Sequence, residues 1–169
     1  TVYTVTGTDV NGCTGEDFVT VNINLSIVVD AGADQTICQG ESATLNVTPL
    51  GMNYVWDYNN ATTNPLIVTP LVTTAYKVTV TTPKGCSGID QVVVNVDPLP
   101  VADAGKDDTI CAGKFTTLSA SGGGTYLWST AKNIQEITVS PNFTSSYTVT
   151  VTLAGCNDVD TVVVFVIPL

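Results

Sequence analysis

The chain repeats itself. Asp30-Ala-Gly-Ala-Asp-Gln-Thr-Ile-Cys38-Gln-Gly40 returns as Asp103-Ala-Gly-Lys-Asp-Asp-Thr-Ile-Cys111-Ala-Gly113. More landmarks follow in the same order: Trp56 and Trp128, Tyr76 and Tyr147, Gly85-Cys86 and Gly155-Cys156, Asp90 and Asp160. The offset between copies falls from 73 at the first cysteines to 72 at the tryptophans, 71 at the tyrosines and 70 at the second cysteines. Landmarks that persist while single residues drop out between them mark a folded unit with shortened loops. Tyr3, Gly12-Cys13 and Asp17 match Tyr76, Gly85-Cys86 and Asp90 at offset 73, so the chain is expected to open inside a preceding copy. The expected division is residues 1–27 as the closing strands of that copy, 28–98 as one repeat and 99–169 as the next.

A unit of about 70 residues buries little surface, so staples or neighbour contacts are expected to support its core. Valine and threonine dominate, and proline and glycine punctuate at short intervals, which is all-β composition. In the second copy, strands are expected over 30–38, 42–48, 54–58, 66–69, 74–81 and 90–96. In the third they follow over 116–120, 126–129, 136–140, 146–152 and 160–166. Short strands with turns every 8–12 residues predict a small Greek-key, immunoglobulin-like β-sandwich. Trp56 and Trp128 fall on its third strand, and with Tyr76 and Tyr147 they are assigned to the core. Aromatics at alternate positions (Tyr54, Trp56, Tyr58; Tyr126, Trp128) also admit a sugar-stacking platform, although one strand face more often belongs to the core. The segment 97–103 is short and proline-stiffened, which predicts a semi-rigid, rod-like array.

Charge excludes several functions. Five Lys+Arg against 15 Asp+Glu give a net charge of −10, so phosphate neutralisation has no material and nucleic-acid binding is excluded. An acidic membrane surface would repel the chain. No apolar run reaches the roughly 20 residues of a membrane helix, so no direct membrane insertion is expected. The first residues do not form a signal peptide, and targeting signals are expected outside this sequence. Histidine is absent, so a serine or cysteine nucleophile lacks its usual base, and no G-x-S-x-G elbow occurs. No enzymatic activity is expected. The glycines of Ser121-Gly-Gly-Gly-Thr125 precede a strand rather than a helix, which makes them a turn and not a phosphate cradle.

Five cysteines without histidine or a C-x-x-C argue for disulfides over zinc, and hence for an oxidising, extracytoplasmic setting. In the assumed topology Cys38 lies at one end of its sandwich and Cys86 at the other, too far apart for a bond that needs Cα atoms about 4.4–6.8 Å apart. The favoured pairing is Cys38 with Cys156, across the linker. Cys86 would then bond a preceding copy, Cys111 a following one, and Cys13 has no partner here. The alternative pairs Cys38 with Cys86 and Cys111 with Cys156. Asp30, Asp34 and Asp90, with their counterparts Asp103, Asp107 and Asp160, recur beside the linkers. Carboxylates so clustered are candidate calcium ligands, but Asp in turns also bonds its own backbone. No other cofactor is implied.

D-A-G-x-D-x-T-I-C-x-G, Y-x-W, T-V-x-P-x-x-T-x-x-Y-x-V-T-V and G-C-x-x-x-D-x-V-x-V-x-V resemble the immunoglobulin-like, polycystic-kidney-disease-like (PKD-like) repeats of Bacteroidota. The resemblance covers essentially the whole chain. It implies tandem sandwiches within a very large cell-surface or secreted protein, of the gliding-motility adhesin type exported by type IX secretion. A structural stalk or filament segment is the role it favours. A glycan- or protein-binding module, or spacer repeats of a secreted hydrolase, are the alternatives. Neighbouring repeats of the same chain are the expected partners, with surface polysaccharide or other cell-surface proteins as further ones. Thr109 and Thr161, each after an aspartate and before an aliphatic residue, resemble O-glycosylation acceptors of that group. Asn24, Asn46, Asn60 and Asn142 begin Asn-x-Ser/Thr sequons, which matter only in a host with the machinery.

Overall fold

A computed structural model of the chain describes residues 1–23 and 26–168; Asn24 lies outside them. Among the described residues all regular structure is strand. Val2–Thr8 (β1) and Thr14–Thr20 (β2) form an antiparallel hairpin. The second copy supplies Gln35–Cys38 (β3), Ala43–Leu45 (β4), Asn53–Trp56 (β5), Leu66–Val68 (β6), Thr74–Thr81 (β7) and Ser87–Asp97 (β8). The third supplies Asp108–Cys111 (β9), Thr116–Ser119 (β10), Thr125–Trp128 (β11), Glu136–Val139 (β12), Ser145–Leu153 (β13) and Cys156–Ile167 (β14). The residues group into two compact units. One comprises Thr1–Gly32, Asn46–Leu66 and Tyr76–Gln91; the other comprises Ala33–Leu45, Ile67–Ala75 and Val92–Leu169.

The third copy lies wholly within the second unit. Its larger sheet runs β11-β13-β14-β9, and β10 pairs with β12 in a smaller one. All pairings are antiparallel except β14 with β9, which run parallel, with Val164 opposite Asp108 and Ile167 opposite Cys111. Strand alternation sends every second side chain inward. Leu118, Trp128, Ile137, Val149, Val151, Val162 and Val164 thereby meet in one core. The second copy repeats the plan, with sheets β3-β8-β7-β5 and β4-β6 and β3 parallel to β8. Its buried residues Leu45, Trp56, Val68, Val78, Val80, Val92 and Val94 stand at the matching positions. This is an immunoglobulin-like β-sandwich, built twice.

Each tryptophan is buried with its indole N–H satisfied, Trp56 donating to the Thr63 carbonyl at 3.1 Å and Trp128 to that of Ile134 at 3.0 Å. Tyr76 is buried, and Tyr58 packs edge-on against it with ring centroids 5.6 Å apart. Thr130 stands at the position of Tyr58 in the third copy, and Tyr147, lacking that cover, is only half-buried. The aromatics therefore do not form a sugar-stacking face: Trp56 and Trp128 are interior, and Tyr54 is buried with its hydroxyl donating to the Pro49 carbonyl at 2.9 Å.

Strand limits differ from the sequence expectation at both ends of each copy. The first strand is only four residues, because in the D-A-G-x-D run ahead of it the opening aspartate makes an isolated bridge and the next two N–H groups bond to aspartate side chains instead of a ladder. The last strand begins early, so that Cys156 is already paired, opposite Leu153. Here the loop is two residues long, Ala154 and Gly155, both at positive φ (51° and 86°). That is the type I′ geometry favoured by twisted hairpins. In the second copy the loop is one residue longer, Pro83-Lys84-Gly85, which accounts for the last step of the drifting offset.

The alternation within β11 yields a paired expectation. Trp128→Ala should destabilise the third sandwich by about 3–5 kcal/mol, as large-to-small core substitutions do. Leu127→Ala, one residue away with its side chain 53% exposed, should change little. Urea denaturation of the two variants measures the difference.

Candidate functional site

The I-C-x-G motif is a turn. In Cys38–Glu41 the Glu41 N–H donates to the Cys38 carbonyl at 3.0 Å, and Gly40 sits at φ 91°. Cys111–Lys114 repeats this at 3.1 Å, with Gly113 at φ 78°. A type II turn requires positive φ at its third residue, so glycine follows each cysteine by two. The turn directly follows the parallel ladder, where Cys38 is opposite Asp97 and Cys111 opposite Ile167. Each first cysteine is thus held at the end of its copy where the last strand leaves.

The second cysteine begins that last strand. In the third copy, Cys156 lies eleven residues before Ile167 along β14, a distance of about 36 Å. Cys111 is opposite Ile167, so no bond joins Cys111 to Cys156. The disulfide instead joins Cys38 to Cys156, with Cα atoms 5.6 Å apart and 118 residues of sequence between them. The Cys156 sulfur also lies 4.0 Å from the Asp97 carbonyl oxygen, beside the end of β8. The intra-copy alternative, Cys38–Cys86 with Cys111–Cys156, is incompatible with this bond. Cys13, Cys86 and Cys111 are free, Cys13 and Cys111 being exposed.

The recurrent aspartates hold backbone. Asp90 accepts the Ala31 N–H at 2.8 Å, Asp30 accepts that of Gly32 at 2.8 Å, and Asp34 that of Val93 at 2.8 Å. Asp160 accepts Ala104 N–H at 2.8 Å, Asp103 that of Gly105 at 2.9 Å and Asp107 that of Val163 at 2.8 Å. The same three bonds thus occur in both copies. Among the described residues, no three acidic, cysteine or histidine side chains come together to hold a metal ion. What the geometry shows for Asp30, Asp34, Asp90, Asp103, Asp107 and Asp160 is a backbone-holding role in both copies. These carboxylates lie ahead of the short first strands and on the last strands, where each satisfies a peptide donor outside the parallel ladder.

Asp158 and Asp108 escaped the sequence reading. Asp158 accepts the Ala102 N–H of the linker at 2.9 Å, but its counterpart in the second copy is Gly88, so repeat comparison passes over it. Asp108 accepts the Thr116 hydroxyl and the Thr109 N–H, in that order of effect, and both hold its carboxyl below the ordinary range. The Ala104 N–H, followed by that of Thr161, does the same for Asp160. Thr109 and Thr161 are both exposed.

No family model matches the chain, and no curated protein matches it. Solved structures do. The N-terminal eight Ig domains of Down Syndrome Cell Adhesion Molecule align at TM-score 0.59 and 15% identity, over 99% of this chain and 27% of theirs. Extracellular domains 3–5 of Drosophila OTK align at TM-score 0.47 and 12% identity, over 98% of this chain and 70% of theirs. The titin I-band fragment I67–I69 gives 0.42 and 13%, over 80% and 63%. At such identities the likeness is one of fold, and the adhesion-molecule comparison establishes tandem immunoglobulin-like sandwiches. The chain spans little more than a quarter of that structure.

Reduction of the disulfide, or Cys38→Ser, should lower stability by on the order of 3–5 kcal/mol, since it opens a long loop in the unfolded chain. Chemical denaturation with and without reductant checks this. For Asp160 the pKa is lowered on folding, so its contribution is present above the ordinary carboxylate value of 3.8 and is lost as pH falls below it. Asp160→Asn keeps an acceptor oxygen but cannot titrate. The variant's denaturation midpoint should therefore fall less steeply with acid than the parent's.

Proposed function

We propose that this chain is a non-enzymatic structural segment, part of a stalk or filament in a large secreted or cell-surface adhesin. The observation that carries this reading is the covalent bond between two different recurrent motifs of successive copies, the I-C-x-G cysteine Cys38 of the second and the G-C cysteine Cys156 of the third. A disulfide placed in this way serves the continuity of an array; a binding module has no need of it. It also requires an oxidising compartment, which supports an extracellular location. The copies divide at residues 27/28 and 98/99, with residues 1–27 as the closing strands of a preceding copy. In support, Tyr3, Val5 and Val19 of the hairpin are exposed, although their counterparts Tyr76, Val78 and Val92 are buried in the second copy.

The resemblance of the motifs to PKD-like repeats favours a Bacteroidota surface protein of the gliding-motility type, exported by type IX secretion. Exposed Thr109 and Thr161 are its O-glycosylation candidates. Its principal partners are neighbouring repeats, and polysaccharide or protein targets belong to other parts of the adhesin. A glycan array probed with the purified chain should give no specific hits. Reproducible binding to a defined polysaccharide would instead make the repeats the adhesive element.

A further inference from the structure

We infer that the Cys38–Cys156 disulfide is a load bypass, which carries tension past both sandwiches and leaves them folded under pull. The inference rests on the stalk reading for its purpose but on covalent topology for its mechanism. Cys38 ends β3, the first strand of the second sandwich, and Cys156 begins β14, the last strand of the third. Tension entering along β3 therefore passes through the sulfurs into β14 and leaves along it. Residues 39–155 are off this path. β14 is pulled from both of its own ends, so its hydrogen bonds to β13 and β9 carry no net shear. The rest of each sandwich rides on a taut strand.

With the bond open, the path is different. Tension enters the second sandwich at β3 and leaves by β8, then enters the third at β9 and leaves by β14. In each case the entry and exit strands are parallel neighbours, pairing Gln35–Cys38 with Val94–Asp97 and Asp108–Cys111 with Val164–Ile167. Pulling the start of one strand against the end of its parallel neighbour loads those bonds together, in shear. Each sandwich then resists as a unit until it fails. Cys86 and Cys111 occupy the same two motif positions as Cys156 and Cys38. Bonded likewise to adjoining copies, they would continue the bypass along an array.

Single-molecule stretching of the whole chain by its termini tests this, with Cys13, Cys86 and Cys111 replaced by serine to prevent exchange. Before reduction, extension should be limited to the segments outside the bond. Adding reductant at a constant force should free the 118-residue separation, or about 400 Å. If the sandwiches stayed folded under load, this length appears in separate delayed steps, one for each sandwich. A single immediate jump on bond cleavage would show that they had already been pulled apart, and would overturn the proposal. Steps of sandwich length before reduction would also overturn it. A companion Cys38→Ser variant should show the two steps with no reductant present. Glycan binding would sink the stalk reading without touching this result, so the two can fail separately.

Discussion

The parallel pairing of first strand with last is the constraint on which the rest of each copy depends. It is short, four residue pairs in both sandwiches. Parallel strands cannot be joined by a tight turn, so the intervening chain must complete the sandwich before the last strand arrives. This leaves the first cysteine where the last strand exits, and the second where that strand begins. Bonding within a copy is then ruled out by the length of one strand, and bonding to the next copy becomes the available geometry.

Four pairs give little hold on a strand, and the aspartates make up the difference. The first segment does not join the parallel ladder before residue 35 or 108; Asp30 and Asp103 bridge to Thr48 and Ser121, which leaves the N–H groups of Ala31, Gly32, Ala104 and Gly105 to find other acceptors. Carboxylates on both sides of the junction accept them, and a charged acceptor makes the stronger kind of hydrogen bond. Ala31 and Ala104 donate to Asp90 and Asp160 and are themselves nearly inaccessible, at 2% and 1% exposure. The D-A-G sequence thus combines a turn-forming carboxylate, a side chain small enough to bury and a glycine. Its recurrence follows the backbone geometry it holds in both copies.

Much of this was legible in the sequence, and the exceptions have physical causes. Strand alternation, the positive-φ glycines and the repeated tryptophans write the sandwich into the residue order. The aspartates were visible as recurrent, but which peptide N–H each one accepts depends on its direction in space, which spacing does not carry. Roles filled by different residues were harder still to see. Asn64 hydrogen-bonds both the N–H and the carbonyl of Val47, at 3.0 and 2.8 Å. In the third copy Gln135 reaches the carbonyl of Ala120 at 3.0 Å, while its own backbone carbonyl accepts the Ala120 N–H. The longer amide and the smaller apolar residue make the same tie, which an identity comparison does not register.

The drift in offset between copies follows from the same division of labour. The hairpin before the last strand tolerates the loss of a residue, because a two-residue I′ turn and a three-residue loop both deliver the cysteine to the start of the strand. The parallel ladder does not tolerate it. A one-residue slip there would turn Val164 outward and also move Cys111 off its place opposite Ile167. Core and junction are therefore read from one register. A repeat that folds correctly has, by the same pairing, already set its cysteines at the two ends where successive copies can be joined.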